Sequence, residues 1–124
     1  MAIIEHVNIS VKNPDKTAKM LGHLFGWKER WSGPAIAGGR TIHFGDDKTY
    51  IAIYTPSTEA GEVSRHEKGK PLNHIGILVD NLDEIETRVK DLGLEPFNHA
   101  NYEPGRRFYF FDYDGIEWEI ISYN

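Results

Sequence analysis

The feature that most constrains this chain is that it reads as one stretch written twice. Setting His6-Val-Asn-Ile-Ser-Val-Lys-Asn13 over His74-Ile-Gly-Ile-Leu-Val-Asp-Asn81 aligns a histidine, alternating aliphatic positions and a closing asparagine at an offset of 68 residues. Asp15 then falls on Asp83. After one deleted residue the offset becomes 67, with Gly26 on Gly93, Gly38 on Gly105, Arg40 on Arg107, Phe44 on Phe111, Asp47 on Asp114 and Ile53 on Ile120. A near-constant offset over so many positions points to internal duplication, so each structural device found in one half has an expected counterpart in the other.

Each unit predicts the same order of elements. A strand with period-two alternation comes first, Ile3 to Val11 or Ile75 to Val79. A helix follows. In unit one Asn13 is its cap, Pro14 takes the first helical position, Asp15 suits the positive end of the helix dipole, Ala18, Leu21 and Phe25 form the apolar stripe, and Gly26 ends it. In unit two Asn81 caps, Asp83 and Glu84 occupy the first turn, Ile85, Val89 and Leu92 form the stripe, and Gly93 terminates. A short strand is expected near Lys28 to Trp31 and near Glu95 to Asn98, before each hairpin. The hairpins are read as Arg40 to Gly45 with Thr49 to Thr55, and Arg107 to Phe111 with Ile116 to Ser122 around the turn Asp112-Tyr113-Asp114-Gly115. The plan is α+β: two tandem β-α-β-β-β modules in a single domain over 1–124, module one about 1–56, a polar linker about 57–71, module two about 72–124.

Strand alternation sorts the side chains onto two faces. Val7, Ile9 and Val11 point one way and His6, Asn8 and Ser10 the other; Ile75, Ile77 and Val79 oppose His74, Gly76 and Leu78. The aliphatic faces are expected against the helices. A turn over Asp112 to Gly115 pairs Phe111 with Ile116 and Phe108 with Glu119, which sets Glu117 and Glu119 beside Phe108 and Phe110 on the second face. The first hairpin places Thr41, His43, Tyr50, Ala52 and Tyr54 there, with His43 opposite Tyr50. That face is too aromatic to be fully wet and too polar to be plain core, which two sheets curling around a shared cleft would reconcile.

Composition narrows the chemistry. Fourteen Lys and Arg against nineteen Asp and Glu leave a net charge of −5, and no basic stripe suggests nucleic acid or an anionic membrane as partner. The absence of a transmembrane-length apolar run or a leader pattern leads us to expect a cytoplasmic protein. There is no cysteine, so His, Asp and Glu are the only strong metal ligands. His6, His74 and Glu119 fall on the second face at related places in the two units. Two imidazoles and a carboxylate suit a divalent transition metal (Fe, Mn, Ni, Zn or Co) with positions left open for substrate. Structural histidines and a solvated glutamate would leave the same pattern.

The segments NHIGILVDN and GRRFYFFDYDGIEWEII resemble the second half of the vicinal oxygen chelate superfamily, which includes glyoxalases, fosfomycin and bleomycin resistance proteins and extradiol dioxygenases; EHVNISVKNPDKTAKMLGHLFGW resembles the first half. The resemblance implies a cupped mixed sheet around a metal-binding cleft, with ligands from the first and last strands of each module. On this chain those places are His6, Ala52, His74 and Glu119. Ala52 cannot bind metal and departs from the Glu or Gln that glyoxalase-like members carry there. What the resemblance implies is a three-ligand enzyme acting on a small substrate that chelates the metal through adjacent oxygens, as a lyase, isomerase or dioxygenase. The alternatives are a metal-free binding protein like the bleomycin-sequestering members, or a fosfomycin-type transferase. Members are often homodimers.

Around the ligands, Glu119 and His43 are the candidate catalytic groups, His43 as a general base. Tyr50, Tyr54, Phe108 and Phe110 are expected to wall the substrate site, and Arg107 to clamp an anionic substrate. Each also has a plain structural reading: a packed strand histidine, an aromatic core, a surface ion pair.

Overall fold

The computed structural model describes residues 3–35, 38–57, 72, 74–102 and 105–124. Most of the expected linker lies outside these residues. The chain divides into two compact units, Met1–Glu67 and Lys68–Asn124. Among the described residues no helix is long and apolar enough to cross a membrane.

Unit one runs β1 (His6–Ser10), α1 (Pro14–Phe25), β2 (Lys28–Pro34), β3 (Arg40–Gly45) and β4 (Tyr50–Thr55); unit two runs β5 (Ile75–Leu78), α2 (Leu82–Asp91), β6 (Phe97–Tyr102), β7 (Gly105–Phe111) and β8 (Glu117–Ser122). These are two tandem β-α-β-β-β modules. Their sheets have the orders β1-β4-β3-β2 and β5-β8-β7-β6, each with one parallel pair (β1 with β4, β5 with β8) and two antiparallel pairs. β1 starts at His6 rather than Ile3, and Ile3 and Ile4 are exposed.

The helices begin where the capping chemistry places them. The Asn13 side chain accepts from the Lys16 N–H at 3.2 Å and that of Asn81 from the Glu84 N–H at 3.1 Å, satisfying one orphan donor each. Gly26 stops α1 at φ 72°, a left-handed conformation that costs a Cβ-bearing residue. The α1 stripe is Thr17, Ala18, Met20, Leu21 and Leu24, with Phe25 only half-buried, and it packs on Ile42, Phe44, Ile51 and Ile53 of β3 and β4. In unit two Leu82, Ile85 and Val89 meet β7 and β8, whose Phe108, Phe110, Trp118 and Ile120 are wholly buried. Buried aliphatic and aromatic side chains of this size contribute about 1.5–3 kcal/mol each, so each helix is held chiefly by one sheet face. Each helix is also pinned to its own sheet by an ion pair from its first turn, Asp15 to Arg40 at 2.6 Å and Asp83 to Arg106 at 2.8 Å.

That repeated ion pair corrects the alignment of the two halves. Arg40 pairs with Thr55 across the first hairpin, and Arg106 with Ser122 across the second. The counterpart of Arg40 is therefore Arg106, not Arg107. The glycines agree: a Cβ on Gly39 would stand 2.1 Å from the Thr55 carbonyl oxygen, and one on Gly105 would stand 2.1 Å from that of Ser122. The cause is the turn. Four residues separate β3 from β4, and five separate β7 from β8. In the longer turn the Asp112 carboxylate gathers the N–H groups of Asp114 and Ile116 and the Trp118 indole N–H, so Ile116 belongs to the turn. Phe111 pairs with Glu117, Tyr109 with Glu119 and Arg107 with Ile121. Because side chains alternate, this slip of one moves every β7 side chain to the face opposite the expected one.

Candidate functional site

In unit two the open face, away from α2, carries Arg107, Tyr109, Phe111, Glu117 and Glu119. Phe108 and Phe110, expected to wall a substrate site, are corrected to the other side: both have no exposed surface and pair across with Ile120 and Trp118. Tyr109 takes their place, directly opposite Glu119, with its ring edge-on to His74 at 5.8 Å. The outward alternation that should have announced Tyr109 was readable, but the turn length that fixes its phase was not.

Glu119 is the centre of this face. Its Oε1 lies 3.0 Å from His74 Nε2, and its Oε2 lies 2.9 Å from Arg107 Nη1. Gly76 sits across from it in the parallel pair, so no side chain intervenes; Oε1 is 3.8 Å from where a Gly76 Cβ would stand. The Arg107 and Glu119 side chains are 11% and 12% exposed, against 34% for His74, so the histidine is the wetter arm. Arg107 is thus found on Glu119 rather than standing ready for an anionic substrate.

The separation of His74 Nε2 and Glu119 Oε1 bears on metal binding. Two adjacent ligands at about 2.1 Å from a divalent first-row ion, at right angles, stand about 3.0 Å apart. The pair already has that spacing, and its donors are the imidazole and carboxylate such ions take. Among the described residues, no group of three or more His, Asp or Glu side chains is gathered to hold a metal ion.

In unit one the open face carries His6, His43, Tyr50, Ala52 and Tyr54, as expected, although His43 pairs with Ala52 rather than Tyr50. Tyr50 lies at the middle of a stack: His6 at 4.9 Å and 16°, His43 at 4.5 Å and 25°, and the Arg30 guanidinium 4.6 Å over its ring. Trp31, half exposed, leans on His43 at 5.1 Å. Arg30 and Trp31 were missed in the sequence because a bulge between Glu29 and Trp31 shifts the strand's alternation. The Glu5 carboxylate meets His6 Nδ1 at 2.9 Å; an Nδ1–H donated there leaves the lone pair on Nε2, the tautomer a metal ligand needs. Burial, with the positive charge of Arg30 nearby, holds the His43 imidazole below its ordinary pKa, so it is neutral and can accept a proton at pH 7. Ala52 is 3% exposed and offers no donor atom.

A family model, the Glyoxalase/Bleomycin resistance protein/Dioxygenase superfamily, matches residues 3–120. The chain is 30% identical to the fosfomycin resistance protein FosX of Listeria innocua over 94% of its own length and 86% of the relative's. It is 27% identical to the metallothiol transferase FosB of Shouchella clausii, over 94% and 77% of the two lengths. A crystal structure of a FosX mutant from Listeria monocytogenes, complexed with Mn(II) and 1S,2S-dihydroxypropylphosphonic acid, superposes with a TM-score of 0.76 at 23% identity, covering 98% of this chain and 92% of that one. That likeness carries the fold.

Proposed function

Because this chain belongs to the Glyoxalase/Bleomycin resistance protein/Dioxygenase superfamily, we propose that it is a metal-dependent enzyme acting on a small substrate with adjacent oxygens. His6, His74 and Glu119 are its proposed ligands. The observation that carries this reading is the His74–Glu119 pair, whose donor atoms are 3.0 Å apart and whose carboxylate is nearly buried. A divalent metal bound there supplies Lewis-acid stabilisation of negative charge developing on a substrate oxygen. The chain's own groups supply the rest. Glu5 fixes the His6 ring, and neutral His43 accepts a proton from bound substrate. Tyr50 and Tyr54, half-buried on the open face of unit one, flank the substrate. The protein acts as a homodimer, which light scattering reads directly.

A second reading, fosfomycin-type group transfer, is favoured by the relative FosB, a metallothiol transferase, with the fosfomycin resistance protein FosX beside it. Both readings share one test. Protein purified without chelator is expected to carry about one equivalent of divalent metal, and His74→Ala to lose it while keeping a cooperative urea transition. Equal metal in both proteins refutes the ligand set, and a metal-free wild type that still binds small aromatics supports the sequestering alternative. Assays with fosfomycin plus thiol or water, with the glutathione hemithioacetal of methylglyoxal, and with catechols under oxygen then separate the reactions.

A further inference from the structure

We propose that Arg107 is a positioning residue for the Glu119 carboxylate: it holds Oε2 so that Oε1 alone is presented beside His74 to a divalent cation. The inference rests on Glu119 and His74 being ligands.

Three observations carry it. The first is geometry. Arg107 Nη1 donates to Oε2 at 2.9 Å while His74 Nε2 lies 3.0 Å from Oε1, so each oxygen has its own partner. A carboxylate left to itself can chelate a cation through both oxygens; one whose second oxygen is held by a guanidinium is a one-oxygen ligand of fixed direction. A cation held near a guanidinium would need a carboxylate between them, and Glu119 is the group that Arg107 and His74 share.

The second is that Arg107 is itself held. Its Nη2 donates to the Gly105 carbonyl at 3.3 Å, and Gly105 lies so close to the Ser122 carbonyl that no side chain fits between them. With only 11% of its side chain exposed, Arg107 has little freedom to swing toward a substrate.

The third is the duplication, which supplies an internal control. In the corrected alignment Thr41 occupies the place of Arg107, since it pairs with Tyr54 as Arg107 pairs with Ile121. Ala52 occupies the place of Glu119: it lies across from Asn8 as Glu119 lies across from Gly76. The unit without the carboxylate is the unit without the arginine. The guanidinium thus goes with the carboxylate and not with the strand frame that both units share.

The test is Mn(II) affinity, read by titration with detection of free Mn(II) by EPR, with the urea midpoint of each metal-free protein measured beside it. Arg107→Met is expected to weaken Mn(II) binding about 10- to 100-fold, the usual cost of removing a ligand's orienting partner. Arg107→Lys can make the single bond to Oε2 and is expected to fall between the two, nearer wild type. Should Arg107→Met not fold, Arg107→Gln, whose amide stops short of Oε2, replaces it. Unchanged or tighter binding in Arg107→Met, or Arg107→Lys no better than Arg107→Met, overturns the proposal. Failure of the wild type to bind Mn(II) removes the ligand reading beneath it, which His74→Ala reports separately.

Discussion

Asp112 is the residue whose removal should most damage the frame that holds Glu119. One oxygen of its carboxylate accepts the Asp114 and Ile116 N–H groups at 2.9 and 3.0 Å, and the other accepts Trp118 Nε1–H at 3.0 Å; Trp118 has no exposed surface. Hydrogen bonds to a charged acceptor are worth about 1.5–3 kcal/mol each, and a buried donor deprived of its acceptor costs about 1–3 kcal/mol. The two turn N–H groups can regain water in Asp112→Ala and the indole cannot, so the expected loss is about 3–5 kcal/mol. Asp112→Asn keeps an oxygen for the turn but sets an N–H₂ group against the indole N–H, and should lose about 1–3 kcal/mol. The matching residue of unit one, Asp46, accepts the Lys48 and Thr49 N–H groups and is exposed, so Asp46→Ala should cost less than either. Urea unfolding read by tryptophan fluorescence, with unchanged m-values, measures all three. If Asp112→Ala shifts stability by less than about 1 kcal/mol, or no more than Asp46→Ala does, the carboxylate does not hold the hairpin as argued.

Other outcomes follow from the same contacts. Burial pushes the Asp112 carboxyl above its ordinary pKa against the pull of its three donors. The folded chain therefore holds that proton more tightly than the unfolded one, and stability from this group falls as pH climbs from the ordinary aspartate value to the raised one; the stability difference between wild type and Asp112→Asn should vary with pH only in that window. The His43 imidazole should titrate below 6.5 by NMR, and its share of the stability should decline as pH falls from 6.5 through that lowered value, because the unfolded chain takes the proton first. Ala52→Glu should destabilise unit one by about 2–4 kcal/mol, as a carboxylate is buried beside an imidazole that is neutral at pH 7, and adding Thr41→Arg should recover part of the loss; equal urea midpoints for the single and double variants would contradict the pairing.

The elements were legible in the sequence because each rests on local chemistry. Asn13 and Asn81 cap, Gly26 and Gly93 take positive φ, and the alternation through Ile9, Ile51 and Ile53 marks the buried face. What escaped was phase. The four residues Asp112 to Gly115 read as a complete turn, but the Asp112 carboxylate reaches one residue further to the Ile116 N–H. No propensity separates a four-residue turn from a five-residue one when the deciding bond comes from a side chain. That single residue exchanged Phe108 and Phe110 for Arg107 and Tyr109 on the face of Glu119. The ligand candidates His6, His74 and Glu119 were untouched, because they lie on β1, at the residue before β5 and on β8, outside the slipped strand.

The two units have kept one frame and divided the chemistry. Caps, helix-to-sheet ion pairs and the close glycine approach recur, and all of them fix backbone. The open faces differ in charge. Unit two keeps a nearly buried carboxylate with its arginine. Unit one has Ala52 and Thr41 at those places, and instead stacks His6, Tyr50 and His43 with Arg30 over the tyrosine. A carboxylate at position 52 would stand across the strand pair from His43 and raise its pKa, weakening the neutral imidazole that the proposed proton transfer needs. The absence of a carboxylate at position 52 and the neutral imidazole of His43 are thus two sides of one electrostatic choice, and placing a carboxylate there should return the His43 titration toward or above 6.5.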